Sequence, residues 1–248
     1  MKEEKERIRA YIWKLLEERG IARFPKPISG RIPNFLGAEE AAERLSEQEE
    51  WKEANVIFVN PDSPQRYVRY LGLLQGKLVI MATPRLREGF LLLDPKRIPI
   101  ARYSEASTIA GAFKYGKKVL EVPKIDLKVT GSVAVDREGG RVGKGHGYSD
   151  LEYGILGEIG AIDGRTPVAT TVHDLQIVER VPMEPQDMPV YLIVTPSSVM
   201  RTGRFGNPKI LWELITEDIE REIPMIRYLK GRISQGERRL NMGSLGPS

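Results

Sequence analysis

Short apolar runs alternate with amphipathic stretches along most of the chain. The apolar runs predict strands at residues 56–60, 78–83, 90–94, 127–136, 168–174 and 190–196. Apolar positions at helical spacing predict helices at residues 2–19, 37–53, 64–75, 104–116 and 148–162, with one or two more within 208–234. Ser104 is the predicted N-cap of the fourth helix. Because strands alternate with helices, we predict an α/β fold with a mostly parallel sheet.

The domain organisation follows from the length and from the continuity of this pattern. The chain has 248 residues and contains no internal repeat or low-complexity linker. We therefore predict one α/β domain over residues 1–235. Residues 236–248 are polar and glycine-rich, and we expect them to form a flexible tail.

Composition excludes several classes of protein. The chain has no cysteine, which rules out a disulfide scaffold, a thiolate zinc site and a catalytic thiol. It has no apolar run of about 18 residues, so we expect no membrane partner. The charged residues after Met1 do not resemble a secretory signal, and we expect a soluble, cytoplasmic protein. The net charge of +4 is spread thinly, without a dense basic patch, which argues against nucleic acid as the main partner.

The candidate chemistry lies in a glycine-rich loop between a predicted strand and a predicted helix. Arg141, Lys144 and His146 are interleaved with five glycines, which are Gly139, Gly140, Gly143, Gly145 and Gly147. Glycines let a backbone approach a ligand closely, and a helix start offers free N–H groups and a positive dipole end. The loop therefore suits a phosphate. The alternative is a glycine-rich turn with solvated basic residues.

The loop matches neither of the common nucleotide-binding motifs. A P-loop would need Gly at position 138 and Ser or Thr at 145, where this chain has Glu138 and Gly145. The dinucleotide fingerprint has a different glycine spacing. Asp150, at the start of the next helix, is open to two interpretations. It is a candidate magnesium ligand, or it favours a helix start that Ser149 and Glu152 close as a capping box.

Three segments resemble one known family. The stretch GGRVGKGHGYSD resembles the G-x-R-x-G-x-G-x-G-Y-Y-D signature of the 5-formyltetrahydrofolate cyclo-ligases, also called methenyltetrahydrofolate synthetases. Lys5 and Arg9 match the K-x-x-x-R pair of the family's first helix, and VPMEPQDMPVYLIVT is similar to its I-P-x-E-x-H-D-x-P-V-D-x-I-V-T segment. The order and spacing of the three segments also fit. The resemblance implies a three-layer α/β/α architecture of the kind shared with ribose-5-phosphate isomerase-like proteins.

The resemblance also implies site residues and cofactors. It implies ATP and Mg²⁺, with Asp150 and Asp187 as metal ligands and Arg141 and Lys144 as the catalytic cations. The ATP-binding residues it implies are Lys5, Arg9, Gly139, Gly140, Arg141, Gly143, Lys144, Gly145, His146, Gly147, Tyr148 and Asp150. Lys5 and Arg9 are four residues apart, so both can project from one helix face toward an anion. Without the resemblance they would be assigned to a solvated basic face.

The implied activity is the ATP-dependent conversion of 5-formyltetrahydrofolate, a reduced folate, to 5,10-methenyltetrahydrofolate. The chain departs from the family in the folate-binding half, where segments 84–126 and 201–248 are additional. Candidate substrate residues there are Asn60, Asp62, Arg85 and Arg87, which alternatively serve as turn and surface residues. Two other functions stay open: ATP chemistry on a different formyl, amide or carboxylate substrate, and a non-catalytic nucleotide- or RNA-binding module. The sequence leaves the oligomeric state open.

Overall fold

Thirteen strands and eight helices are defined in the computed structural model, which describes residues 1–232; the tail predicted for 236–248 lies outside the described residues. The strands are β1 (Ala22–Arg23), β2 (Asn34–Phe35), β3 (Val56–Val59), β4 (Leu78–Ala82), β5 (Phe90–Leu93), β6 (Lys117–Val119), β7 (Leu127–Thr130), β8 (Ala134–Asp136), β9 (Arg141–Val142), β10 (Val168–Thr171), β11 (Ile177–Val178), β12 (Leu192–Val194) and β13 (Val199–Arg201). The helices are α1 (Lys2–Glu18), α2 (Ala38–Ser46), α3 (Glu49–Lys52), α4 (Arg66–Leu74), α5 (Tyr103–Ala106), α6 (Ile109–Tyr115), α7 (Tyr148–Glu158) and α8 (Glu217–Glu222). Residues 224–232 are also helical.

A large sheet forms the middle layer. Its eight strands run in the order β13–β12–β10–β7–β3–β4–β5–β6. The five strands from β12 to β4 are mutually parallel, and the strands beyond them on both sides are antiparallel. The parallel strands β3, β4 and β12 are almost entirely buried, which explains why they are continuous apolar runs in the sequence. Strands β7 and β10 are fully buried as well, although they also contain Lys128 and three threonines.

Helices cover both faces of this sheet. In β3, Ile57 and Val59 pack into a core with α2 and α4. Phe58, which lies between them, packs into a second core with Ile155 of α7 and Ile226 of the helical run 224–232. Alternate side chains of one strand thus enter two separate cores, as the two-residue period of a strand requires. This layering confirms the predicted α/β fold with a mostly parallel sheet.

A smaller sheet holds the N-terminal helix in place. Strands β11, β8 and β9 form a three-stranded sheet, and β8 and β9 are antiparallel neighbours. Ile12 and Leu16 of α1 pack in one core with Val133 and Val142. Because β9 leads directly into the glycine loop, this packing brings α1 against that loop.

Three predicted elements, at residues 37–53, 104–116 and 127–136, are divided in the structure. The helix predicted for 37–53 is interrupted at residues 47–48, which separate α2 from α3. The strand predicted for 127–136 becomes β7 and β8, in different sheets, because the chain leaves the large sheet at Gly131 and bends at Val133. A β-carbon on Gly131 would lie 2.8 Å from Ile32, so a residue with a side chain does not fit there. Both halves are apolar, and their periodicity did not reveal the turn.

The prediction of Ser104 as an N-cap is wrong. Helix α5 already begins at Tyr103, and a second helix, α6, begins after Thr108. The Thr108 side chain accepts a hydrogen bond from the backbone N–H of Gly111 and is the true cap of α6.

The two additional segments have definite places in the fold. Residues 84–126 contribute β5 and β6 at one edge of the large sheet, together with α5 and α6. Residues from 201 onward cross α7 and contribute α8. Within residues 1–232, no helix is long and apolar enough to cross a membrane.

Candidate functional site

The glycine loop connects β9 to α7, and its backbone requires glycine at several points. Gly145 and Gly147 have φ angles of +103° and +72°, which residues with side chains rarely adopt. A β-carbon on Gly145 would also lie 3.4 Å from the guanidinium carbon of Arg9. The loop is therefore shaped to pass close to a cation from another element.

The start of α7 differs from the predicted capping box. Gly147 is the N-cap, and no side chain caps the helix. Glu152 is buried and binds Lys128 and Asn60 instead of reaching back to the helix start. The prediction of a Ser149–Glu152 capping box is wrong, because the buried ion pair takes the carboxylate that the box would need. The first N–H groups of α7 thus have no capping side chain.

Helix α1 places two buried cations beside the loop. Arg9 donates from Nε to the carbonyl oxygen of Gly143 at 2.7 Å. Lys5 Nζ lies 2.5 Å from Asp187 Oδ2 and 3.0 Å from Glu184 Oε2. Each cation is only 8% exposed, which excludes the alternative of a solvated basic face. Burial lowers the pKa of Lys5, but its hydrogen bonds to Asp187 and Glu184 outweigh this effect, and the pKa lies above its usual value.

Arg141 forms the back of the same site. Its guanidinium donates to the carbonyl oxygen of Gly131 and to Asp150 Oδ1, each at 3.0 Å. Its Nε is buried and has no hydrogen-bond partner among residues 1–232. Buried donors in folded proteins nearly always have a hydrogen-bond partner, so this N–H group is available to an acceptor on a bound ligand. Because the side chain is almost fully buried, alanine at Arg141 is expected to destabilise the fold as well as to impair ligand binding.

Lys144 is the most accessible cation of the loop. Its side chain is 37% exposed, and Nζ lies 3.1 Å from Asp62 Oδ1. Asp62, a candidate substrate residue, therefore pairs with the loop in this structure. An exposed ammonium group on a flexible stem can turn from this carboxylate to an incoming phosphate.

One cleft of about 460 Å³ joins these groups. Its lining includes Lys5, Arg9, Arg141, residues 143–150 and Asp187. His146 and Tyr148 stack at its edge with ring centroids 6.2 Å apart. Gly139 and Gly140 do not line the cleft. They form the turn between β8 and β9, where their missing side chains leave room for the Val190 carbonyl and the Asp136 carboxylate.

The two candidate metal ligands both lie in the cleft. Asp150 Oδ1 accepts from Arg141 and from the backbone N–H of Met188, and Asp187 Oδ2 accepts from Lys5 and from the N–H of Glu184. Within residues 1–232, no three acidic or histidine side chains come together as a metal site. This donor set fits magnesium that arrives with phosphates, since such ions need only one or two carboxylates from the protein.

Like Asp62, the other candidate substrate residues are not part of the cleft lining. Asn60 is buried, and its amide donates to Glu152 at 3.0 Å and accepts from Lys128 at 3.1 Å. Arg85 and Arg87 are each 60% exposed and lie 3.6 and 3.3 Å from Glu222 of α8. Asn60 thus belongs to a buried polar network, and the two arginines hold the C-terminal segment.

Sequence reasoning missed the buried pair of Lys128 and Glu152, whose charged atoms are 2.5 Å apart. Burial lowers the pKa of Lys128 and raises the pKa of Glu152. The available signal was a lysine inside an apolar strand, because such a residue is rarely buried without a partner. Sequence reasoning also missed that apolar residues beyond 201, among them Ile210, Leu211 and Leu214, line the cleft.

His173 has a structural role. Its Nδ1 accepts a hydrogen bond from the backbone N–H of Leu175 at 3.1 Å, and the backbone N–H of His173 donates to the side-chain oxygen of Gln176. Burial lowers the pKa of His173, although Asp174 raises it, and the net value is below 6.5. A protonated Nδ1 cannot accept, so protonation breaks this cap.

We expect this cap to make stability depend on pH. The pKa of His173 is lower in the folded chain than in the unfolded chain, so the unfolded chain binds a proton first as the pH falls below about 6.5. The free energy of unfolding therefore decreases as the pH falls through this range. Loss of one hydrogen bond costs about 1 kcal/mol, or roughly 2–4 °C in melting temperature for a chain of this size. Thermal melts of the wild type and of His173→Asn between pH 7.5 and 5.5 check this. The wild type should lose melting temperature relative to the variant, and parallel curves would contradict the assignment.

The chain is similar to known proteins over most of its length. The chain is 40% identical over 244 residues to a methenyltetrahydrofolate synthase domain-containing protein of Mus musculus, and 39% identical over 241 residues to that of Bos taurus. These matches cover 93% of this chain but only 64% and 63% of the relatives, so the chain spans less than two thirds of their length.

The chain is also similar to a solved structure and matches the sequence model of a family. The structure of Aquifex aeolicus 5,10-methenyltetrahydrofolate synthetase matches with a TM-score of 0.51 and 19% identity, over 81% of this chain and 93% of that one. This likeness supports the fold. The sequence model of the 5-formyltetrahydrofolate cyclo-ligase family matches residues 1–196. The chain therefore belongs to the 5-formyltetrahydrofolate cyclo-ligase family, a family of ligases, as its motifs predicted.

Proposed function

We propose that this chain binds ATP in the cleft between α1 and the glycine loop and uses it to convert 5-formyltetrahydrofolate to 5,10-methenyltetrahydrofolate. The convergence of buried cations on the loop carries the proposal. Lys5 and Arg9 are brought from α1 to the cleft that Lys144 also lines. Cations, free N–H groups at a helix start and a glycine backbone together favour a polyphosphate.

Asp150 and Asp187 are the residues proposed to hold magnesium. Both carboxylates line the cleft that the phosphates would enter. When bound, the ion would neutralise phosphate charge during transfer. Lys5, which forms an ion pair with Asp187, places a positive charge next to this carboxylate.

The proposed reaction needs alignment more than side-chain covalent chemistry. The formyl oxygen attacks the γ-phosphorus of ATP, the bond to the β-phosphate oxygen breaks, and ADP leaves. N10 of the folate then attacks the activated formyl carbon, and inorganic phosphate departs with the former formyl oxygen. The protein's cations stabilise negative charge on the transferred group, and the packing of Arg9 against the loop helps to hold the loop in place. This division of roles accounts for a site made of glycines and cations without a nucleophile.

A turnover assay tests the proposal. Purified full chain is mixed with Mg²⁺, ATP and 5-formyltetrahydrofolate, and the methenyl product is followed by absorbance while ADP is quantified. We expect one ADP per methenyl product. ATP binding without turnover of any reduced folate would contradict the substrate and favour a different formyl or carboxylate substrate. RNA binding that falls steeply with salt, without ATP turnover, would favour the binding module.

A further inference from the structure

The chain beyond residue 201 builds one wall of the cleft. It lies directly on α7, where Gly154 and Gly157 carry no side chains. A β-carbon on Gly154 would lie 2.9 Å from the carbonyl oxygen of Lys209, and one on Gly157 would clash with the carbonyl oxygen of Pro208. The two glycines therefore allow this C-terminal segment to approach α7 closely. The segment falls outside residues 1–196, over which the chain matches its family.

The C-terminal segment turns apolar side chains into the cleft. Its lining residues there include Ile210, Leu211, Leu214, Ile215 and Ile219. Leu214 is 49% exposed, so it contributes little to the core and faces accessible space. The cleft thus joins the cations of the glycine loop to a mainly apolar surface of this segment, which also contributes Lys209 and Glu222 to the lining.

Ion pairs connect the C-terminal segment to the rest of the site, between Glu222 and the two arginines Arg85 and Arg87. Glu222 of α8 lies within 3.6 Å of both Arg85 and Arg87, and it lines the cleft together with Tyr148. Arg85 and Leu86 have φ angles of +55° and +56°, a conformation that costs free energy in residues with side chains. The tight turn at Arg85 and Leu86 places both arginines near Glu222. Tyr148 is the first residue of α7 and follows the glycine loop directly.

We propose that the C-terminal segment forms the subsite for the adenine ring of the nucleotide, with Leu214 as its main accessible contact. This inference rests on the proposed function. A cleft of about 460 Å³ is of the size that holds one mid-sized ligand. A ligand with its phosphates on the cations of the glycine loop must place the rest of its body along the mainly apolar surface of the C-terminal segment. The flat adenine ring suits such a surface, and burying it there removes apolar area from water.

Binding of ATP and of inorganic tripolyphosphate to the full chain tests this subsite. The variant is Leu214→Ser, and Leu214→Met restores an apolar side chain. Leu74→Ser is the matched control, because Leu74 is also 49% exposed but lies on α4, outside the cleft lining. We expect Leu214→Ser to lose about tenfold in ATP affinity, from the apolar contact removed, and to bind tripolyphosphate like the wild type. Leu214→Met and Leu74→Ser should bind both ligands normally.

Other outcomes separate this inference from the proposed function. Unchanged ATP affinity in Leu214→Ser would overturn the adenine subsite while leaving the phosphate site intact. Equal losses for ATP and tripolyphosphate would indicate a structural effect and would also overturn it. A loss of affinity for 5-formyltetrahydrofolate alone would assign the wall to the pterin ring instead. A wild-type chain that binds neither ATP nor tripolyphosphate would overturn the proposed function itself.

Discussion

Lys144→Met is expected to lower the affinity for ATP by about tenfold to a hundredfold, because a charge-assisted hydrogen bond to phosphate contributes about 1.5–3 kcal/mol. Lys144 is partly exposed, and its only ion-pair partner among residues 1–232 is Asp62, so the fold should tolerate the change. Methionine keeps most of the aliphatic stem and removes the charge. Calorimetric titration of ATP into the variant and the wild type measures the effect, and melting temperatures verify the fold.

A remote lysine supplies the control for this variant. Lys124 forms an exposed ion pair with Asp163 and does not line the cleft. Lys124→Met changes the net charge by the same amount, so any general electrostatic effect should appear in both variants. If the two variants lose ATP affinity equally, Lys144 does not contact the phosphates. A loss confined to Lys144→Met supports the phosphate site.

Lys128→Met is expected to lower the free energy of unfolding by about 3–5 kcal/mol, because it leaves a buried carboxylate without its cation. Lys128 is fully buried, and its ammonium contacts both Glu152 and the amide oxygen of Asn60. The double variant Lys128→Met, Glu152→Gln should recover much of the loss, since it buries no charge. Chemical denaturation at pH 7 measures both.

The pH dependence of Lys128→Met gives a second readout. Burial already raises the pKa of Glu152, and loss of Lys128 removes the group that lowers it. The folded variant therefore binds a proton at a higher pH than the unfolded chain does, and acid relieves the penalty. The stability difference from the wild type should narrow between pH 7 and 5. A difference that stays constant over this range would mean that the loss arises from packing alone.

Local patterns predicted the elements that one segment can specify. The parallel strands β3, β4 and β12 are apolar runs because both faces of the sheet are covered, and the runs were visible in the sequence. The glycine loop was visible for a similar reason, since its φ angles require glycine itself. The spacing of Lys5 and Arg9 was enough to place both on one face of α1.

Contacts between distant segments account for what the sequence did not reveal. Asp62 and Lys144 are 82 residues apart, and Arg87 and Glu222 are 135 apart, so neither pair leaves a local pattern. Asn60 looked like a turn residue because its partners, Lys128 and Glu152, belong to other elements. The apolar side chains of the C-terminal segment had the spacing of ordinary helices, and only the fold turns them toward the glycine loop.

A structure of the full chain with Mg²⁺ and ATP would show where the triphosphate binds. We expect the triphosphate between α1 and the glycine loop, within hydrogen-bonding distance of Lys5, Arg9 and Lys144, with magnesium beside Asp150 or Asp187. Nucleotide bound elsewhere, with Lys144 still paired to Asp62 and no phosphate at the loop, would contradict this placement.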